Sequence, residues 1–183
     1  MSVSKLVIGL AAGAAASAAA AQSTDSSQPF DVTGNVPTLC SIGSLGGDDG
    51  AFALGTLIDL STGKLRQDLS AEDKVLTGAF CTARSTIEIV ATPLLAESDP
   101  AVPTGFSKGV HFTAKASGWT ETAASYDTAD ASHPDATQTR TSAFQGDITV
   151  GIDDFRTMGG DNLLLVADPS YLGSVVVTVT SAD

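Results

Sequence analysis

Apolar and polar residues alternate with a period of two along most of the chain. Phe30, Val32, Gly34 and Val36 alternate with Asp31, Thr33 and Asn35 between Pro29 and Pro37. Ile87 and Ile89 flank Glu88, Val110, Phe112 and Ala114 flank His111 and Thr113, and Ile148, Val150 and Ile152 repeat the pattern. Val175, Val177 and Val179 close the series. Period two puts successive side chains on opposite faces of a strand, so these segments predict sheets with one face in a core and one in water. Strands are expected at 30–36, 52–58, 74–81, 85–91, 109–116, 146–153, 162–166 and 173–180. Turn signals separate them, as at Pro103-Thr104-Gly105, Gly159-Gly160 and Asp168-Pro169. Ser70-Ala71-Glu72-Asp73 matches a capping box, but Gly78 allows no more than one or two helical turns. The polar stretch from Thr120 to Ala143 reads as a long surface loop or weak hairpin. Short strands at this spacing predict an all-β fold, an immunoglobulin-like β-sandwich.

The N-terminus is patterned differently. Lys5 precedes an apolar run from Leu6 to Ala16, too short to span a bilayer, and the alanines ending at Ala21 suit a signal peptidase. Residues 1–21 are therefore expected to be a signal peptide, with a retained membrane anchor as the alternative; no second apolar stretch supports that alternative. Residues 22–37 would then be a polar, flexible leader running into the first strand, and 38–183 the β domain. Export changes the meaning of Cys40 and Cys81, the two cysteines of the chain. In an oxidising compartment they most simply form one disulfide. A lone catalytic thiol is the rival reading, and neither cysteine has a nearby histidine in sequence.

Composition narrows the partners. With 9 Lys and Arg against 21 Asp and Glu, the formal charge is −12, and removal of Lys5 makes it −13. No basic run is present to bind phosphate, which argues against nucleic acid and anionic membrane surfaces. At 43% apolar residues, the 183-residue chain has material for one core and length for one domain.

Candidate chemistry is sparse. Gly105-Phe106-Ser107-Lys108-Gly109 fits the nucleophile-elbow pattern, but a Pro-rich loop precedes it and an alternating strand follows, so its glycines read as turn residues. Ser61-Thr62-Gly63-Lys64 has the wrong glycine spacing for a phosphate loop, and Leu65 stands where a hydroxyl is required. His111 and His133 lack further ligands at metal-binding spacing. Asp48, Asp49, Asp153, Asp154 and Asp161 offer carboxylates for calcium without the order of a known loop. Trp119 and Tyr126 offer a sugar platform, against which stands simple packing of Trp119 at a strand end. No catalytic set, metal or cofactor is expected.

The order of Val32-Thr33-Gly34-Asn35-Val36, Cys40-Ser41-Ile42-Gly43, Leu54-Gly55-Thr56-Leu57, Phe80-Cys81-Thr82 and the valine-rich run ending at Thr180 resembles the spore coat protein U-like domain family. That family includes subunits of archaic chaperone–usher pili. The resemblance spans most of the chain beyond residue 21 and rests on short motifs. It implies a sandwich lacking one strand, completed by the N-terminal strand of the next subunit. Phe30, Val32, Gly34 and Val36 would be the donor face, and Val175, Val177 and Val179 on the last strand would line the accepting groove. The partners implied are neighbouring copies, a periplasmic chaperone and an outer-membrane usher, with export through the periplasm to a surface fibre serving adhesion or biofilm formation. The competing assignment has residues 30–36 pairing within their own chain. From another class, the alternative function is a monomeric secreted β-sandwich module binding carbohydrate or calcium.

Overall fold

The computed structural model describes residues 30–46 and 50–182. The expected signal peptide, the leader up to residue 29, and Asp48 and Asp49 lie outside the described residues. Contacts divide the chain between Gly34 and Asn35. Residues 30–34 form no strand, and Phe30 and Val32 are 89% and 96% exposed. Residues 35–182 are built of strands and loops; no helix occurs among the described residues.

The strands are β1 (Cys40–Ser41), β2 (Ser44–Leu45), β3 (Lys74–Cys81), β4 (Ser85–Ala96), β5 (Phe106–Ser107), β6 (Gly109–Ser117), β7 (Ala124–Asp127), β8 (Thr137–Arg140), β9 (Phe144–Thr157), β10 (Leu164–Leu165) and β11 (Tyr171–Ser181). The main sheet runs β1-β3-β9-β6-β4-β11, and all its pairings are antiparallel. β6 and β4 meet only where Val110 and Gly109 pair with Leu94 and Leu95. Away from that corner they part, and each takes a short partner of its own, β7 beside β6 and β8 beside β4. The sheet thus folds over on itself and nearly closes, a form compatible with a β-sandwich. The all-β expectation is borne out.

Several local expectations are revised. Residues 52–57 belong to no strand, and Ile58 makes a single bridge to Leu65. The 162–166 strand shrinks to β10, which pairs in parallel with β5. The polar stretch from Thr120 to Ala143 supplies β7 and β8, which pair with different strands rather than with each other. Ser70 to Asp73 runs extended without a helical turn, because the strand at Lys74 begins at once.

Apolar residues of both layers meet in one core. Ile87 and Ile89 of β4, Ala114 of β6, Ile148 of β9 and Trp119 just after β6 are fully buried there. Burial of each large side chain contributes about 1.5–3 kcal/mol. Trp119 lies against Phe144 with ring centroids 4.4 Å apart, and Arg140 covers the other aromatic ring while donating to the Trp119 carbonyl at 2.8 Å. A smaller cluster around Leu65, Val110 and Leu165 seats the 57–69 excursion.

The β1 edge is stapled. Cys40 and Cys81 are directly opposite in register and form the expected disulfide. Gly43 then turns the chain into β2 with φ +80°, where a Cβ would stand 2.2 Å from the Thr77 carbonyl oxygen. Because the bridge closes a loop of about 42 residues, its entropic effect on the unfolded chain is worth ~4 kcal/mol. Cys81→Ser is expected to lower unfolding free energy by about 2–5 kcal/mol in denaturant titration. Two free thiols in mass spectra of protein kept under oxidising conditions would contradict the bridge.

β7 is tied to β9 by charge. Arg156 Nη2 donates to both carboxylate oxygens of Asp127, at 2.6 and 2.5 Å, while Nη1 bonds Asp154. Burial by itself raises the Asp127 carboxyl, but the Ala129 amide and the Arg156 guanidinium outweigh it and hold the group below the usual carboxylate range. A depressed folded-state value stabilises fully above the unfolded value of ~3.9 and loses that contribution as pH falls through the folded one. The pair is a quarter to a third exposed, so the effect is about 1 kcal/mol. Asp127→Asn should show this deficit near pH 7, and the gap to wild type should close below about pH 4.

Candidate functional site

The feature that departs most from an ordinary closed sheet is β11. It pairs with β4 from Tyr171↔Ala96 to Ser181↔Ser85, and no strand pairs with its other edge among the described residues. Its sequence, Tyr-Leu-Gly-Ser-Val-Val-Val-Thr-Val-Thr-Ser, contains no charge and no proline. Edge strands are normally short, charged, bulged away or covered, because a bare edge recruits other strands. β11 has one irregularity, at Gly173 near its start, where a Cβ would meet the Thr92 carbonyl oxygen at 2.8 Å. The remainder is regular.

Val175, Val177 and Val179 face the core opposite Ala91, Ile89 and Ile87. Their partners on β4 are buried, yet the three valines are only half-buried. The difference comes from position: β4 has neighbours on both sides, and on β11 the cover of the core stops.

The chain from Phe52 to Leu57 forms the facing wall. Phe52, Leu54 and Leu57 are half-buried, and Ala53, Gly55 and Thr56 are exposed. Among the described residues, no backbone amide from Phe52 to Leu57 donates to another backbone group; the Leu57 carbonyl accepts from Arg66 at 2.9 Å. Between this wall and the start of β11 lies a depression of about 370 Å³ with Leu94, Phe112 and Ile152 in its lining. It shares Phe52, Leu54, Leu94 and Tyr171 with a second of about 740 Å³ beneath residues 165–170. The two adjoin as one trough whose lining mixes Phe52, Leu54 and Leu94 with Thr56, Asp168 and Ser170. Tyr171 is fixed in it by donating to the Val166 carbonyl at 2.8 Å, and burial raises its phenol above the ordinary value. At the far end of β11, β1 comes close.

The other sequence candidates do not converge. Ser107 is buried in β5, its hydroxyl shared with Gly109 backbone groups. His111 Nδ1 lies 3.2 Å from the Thr128 hydroxyl, and His133 stacks on Tyr126 with centroids 3.6 Å apart. Asp153 pairs with Lys115 at 2.6 Å, and Asp154 pairs with Arg156. Trp119 is in the core and presents no platform. No group of three or more His, Cys, Asp or Glu gathers to hold a metal among the described residues. Val36 is exposed, and the residues after it are held beside Thr82: the Leu39 amide donates to Thr82 Oγ1 and the Thr82 amide to the Leu39 carbonyl, both at 2.9 Å.

Sequence reasoning identified the valine face of β11 but took 52–58 for a paired strand. The apolar residues Phe52 and Leu54, alternating with Ala53 and Gly55, were the signal; the period breaks at Thr56, which is exposed, while Leu57 is half-buried. No protein-family model, curated protein or solved structure matches this chain. Amides from Phe52 to Leu57 should exchange with solvent hydrogen far faster than those of Ile87 and Ile89, whose opening requires global unfolding. Equal protection of the two segments would mean that the trough is closed in solution.

Proposed function

We propose that this chain is the structural subunit of a cell-surface fibre assembled by donor-strand exchange, with an incomplete immunoglobulin-like sandwich of the spore coat protein U-like type. The observation that carries the reading is the bare, valine-rich edge of β11 beside a core that it leaves partly uncovered. An extended peptide laid along that edge would gain main-chain hydrogen bonds, and its alternate side chains would enter the trough. Phe30, Val32, Gly34 and Val36 of a neighbouring copy have the required period, and their large side chains are exposed.

Directionality favours a fibre over a closed dimer. The body receives its leader at the pole of Thr82, which is also the pole of Arg84 and Ser181, since the Ala182 amide donates to the Arg84 carbonyl at 2.9 Å. The trough lies at the other pole, by Tyr171. A leader leaving one pole and entering a neighbour at the opposite pole makes a heterologous contact, which repeats without closing. Before insertion, so much uncovered apolar surface needs a holder. A periplasmic chaperone and an outer-membrane usher fit that need, with export through the signal peptide and a disulfide formed on the way. Adhesion or biofilm formation would be the role of the finished fibre.

Two substitutions test the reading. Phe30→Asp puts a charge where the neighbour's trough is apolar, so fibre yield should collapse while subunit, disulfide and chaperone complex persist. Val177→Asp puts the charge under the subunit's own edge strand and should cost about 3 kcal/mol or more, depleting the subunit itself. Both fibre yield and soluble subunit are measured. If Phe30→Asp unfolds the subunit as badly as Val177→Asp, residues 30–36 belong to their own chain's core. If wild-type protein stays monomeric with residues 22–37 present, the chain is a self-sufficient binding module.

A further inference from the structure

The outer face of β4 and β11 is nearly free of charge in a chain of formal charge −12. Register aligns its side chains in rows that continue onto β8. Thr139, Thr86 and Thr180 form one row, Thr137, Glu88 and Thr178 the next, and Val90 and Val176 a third. Thr92 and Ser174 follow, then Leu95 and Leu172 past the bulge. Glu88 is the charged member. Val176 and Leu172 are 55% and 57% exposed, and Val90 and Leu95 beside them are also exposed.

Two properties set this face apart. Four of its seven hydroxyls pair across the strands, Thr86 with Thr180 at 2.6 Å and Thr92 with Ser174 at 2.9 Å, so dehydrating these four leaves none of them without a partner. The other exposed sheet surface, on β6 and β9, bears Lys115, Asp147 and Asp153. A partner recognised by charge would be drawn there instead.

We propose that the outer β4–β11 face docks a second copy of this chain, the two faces packing back to back about 10 Å apart as stacked sheets do. Two copies of like charge can approach only where neither carries much of it, and a two-fold contact meets that condition on both sides at once. The rows cover about 30 Å along β11 and 10–14 Å across, so two faces would bury on the order of 1,000 Å² of accessible surface. That is the lower end of specific interfaces, which suits a reversible dimer or the sideways joining of subunits in neighbouring fibres. The contact leaves the free edge of β11 and the trough open, so it goes beyond donor exchange and does not depend on it.

Sedimentation of the full-length exported protein, as wild type and as Phe30→Asp, tests this, each with and without Val176→Lys. Association is expected to survive Phe30→Asp, to weaken at least tenfold with Val176→Lys, and to strengthen with salt as the net charge is screened. Val90→Lys, at an exposed position beside Val176 and outside the trough, should reproduce the loss, which guards against a fold defect particular to Val176. Three results would overturn the proposal: a monomer at about 100 μM, association indifferent to both lysines, or association abolished by Phe30→Asp alone.

Discussion

The whole sheet turns on a junction two residues long, where Leu94 and Leu95 of β4 pair with Val110 and Gly109 of β6. There the strand order passes from one layer to the other, and a tight fit holds it. A Cβ on Gly109 would lie 3.0 Å from Leu95 Cδ2 and from the Met158 thioether, so a larger residue would push the strands apart. Leu94 sits in both apolar clusters and thereby links the main core to the packing beneath the 57–69 excursion. Because β4 and β6 diverge immediately beyond this corner, their freed edges have to be occupied, and β7 and β8 do so.

The two ends of the main sheet are treated in opposite ways. At one end, β1 and β2 are two residues each and held by a disulfide and a glycine turn. At the other, β11 is eleven residues long, regular over most of its length and bare. A protein selected only to remain a monomer would gain from a lysine or proline there. The lack of either, together with the half-burial of Val175, Val177 and Val179, ties the edge to the trough as one physical feature. A strand that fitted it would satisfy backbone groups and cover apolar surface in the same step, with Phe52 to Leu57 on its other side.

Charge lies mostly outside these surfaces, with Asp168 at the trough and Glu88 on the outer face as the exceptions. Ion pairs join β6 to β9 and β7 to β9 on the charged exterior, whereas the trough and the outer β4–β11 face rely on Val, Leu, Phe and paired hydroxyls. The strongly acidic character then acts as a general repulsion between copies, leaving the weakly charged surfaces as the places where contact costs least.

Which residues face inward was legible in the sequence, since period two is a local property of a strand. Ile87 and Ile89, Ile148 and Val150, and Val175, Val177 and Val179 all point to the core as their spacing requires. The cysteine pair was legible too, because a chain with two cysteines leaves only one intramolecular pairing. What the sequence could not decide is which strand lies beside which. Phe52 to Gly55 alternates like a strand and has no strand partner among the described residues, and Thr120 to Ala143, which reads as a surface loop or weak hairpin, supplies partners to two strands. The open edge of β11 belongs to the same class of fact. Alternation is written in neighbouring residues, whereas pairing depends on closing long loops and on competition among strands far apart in the chain, and only the tertiary structure resolves that competition.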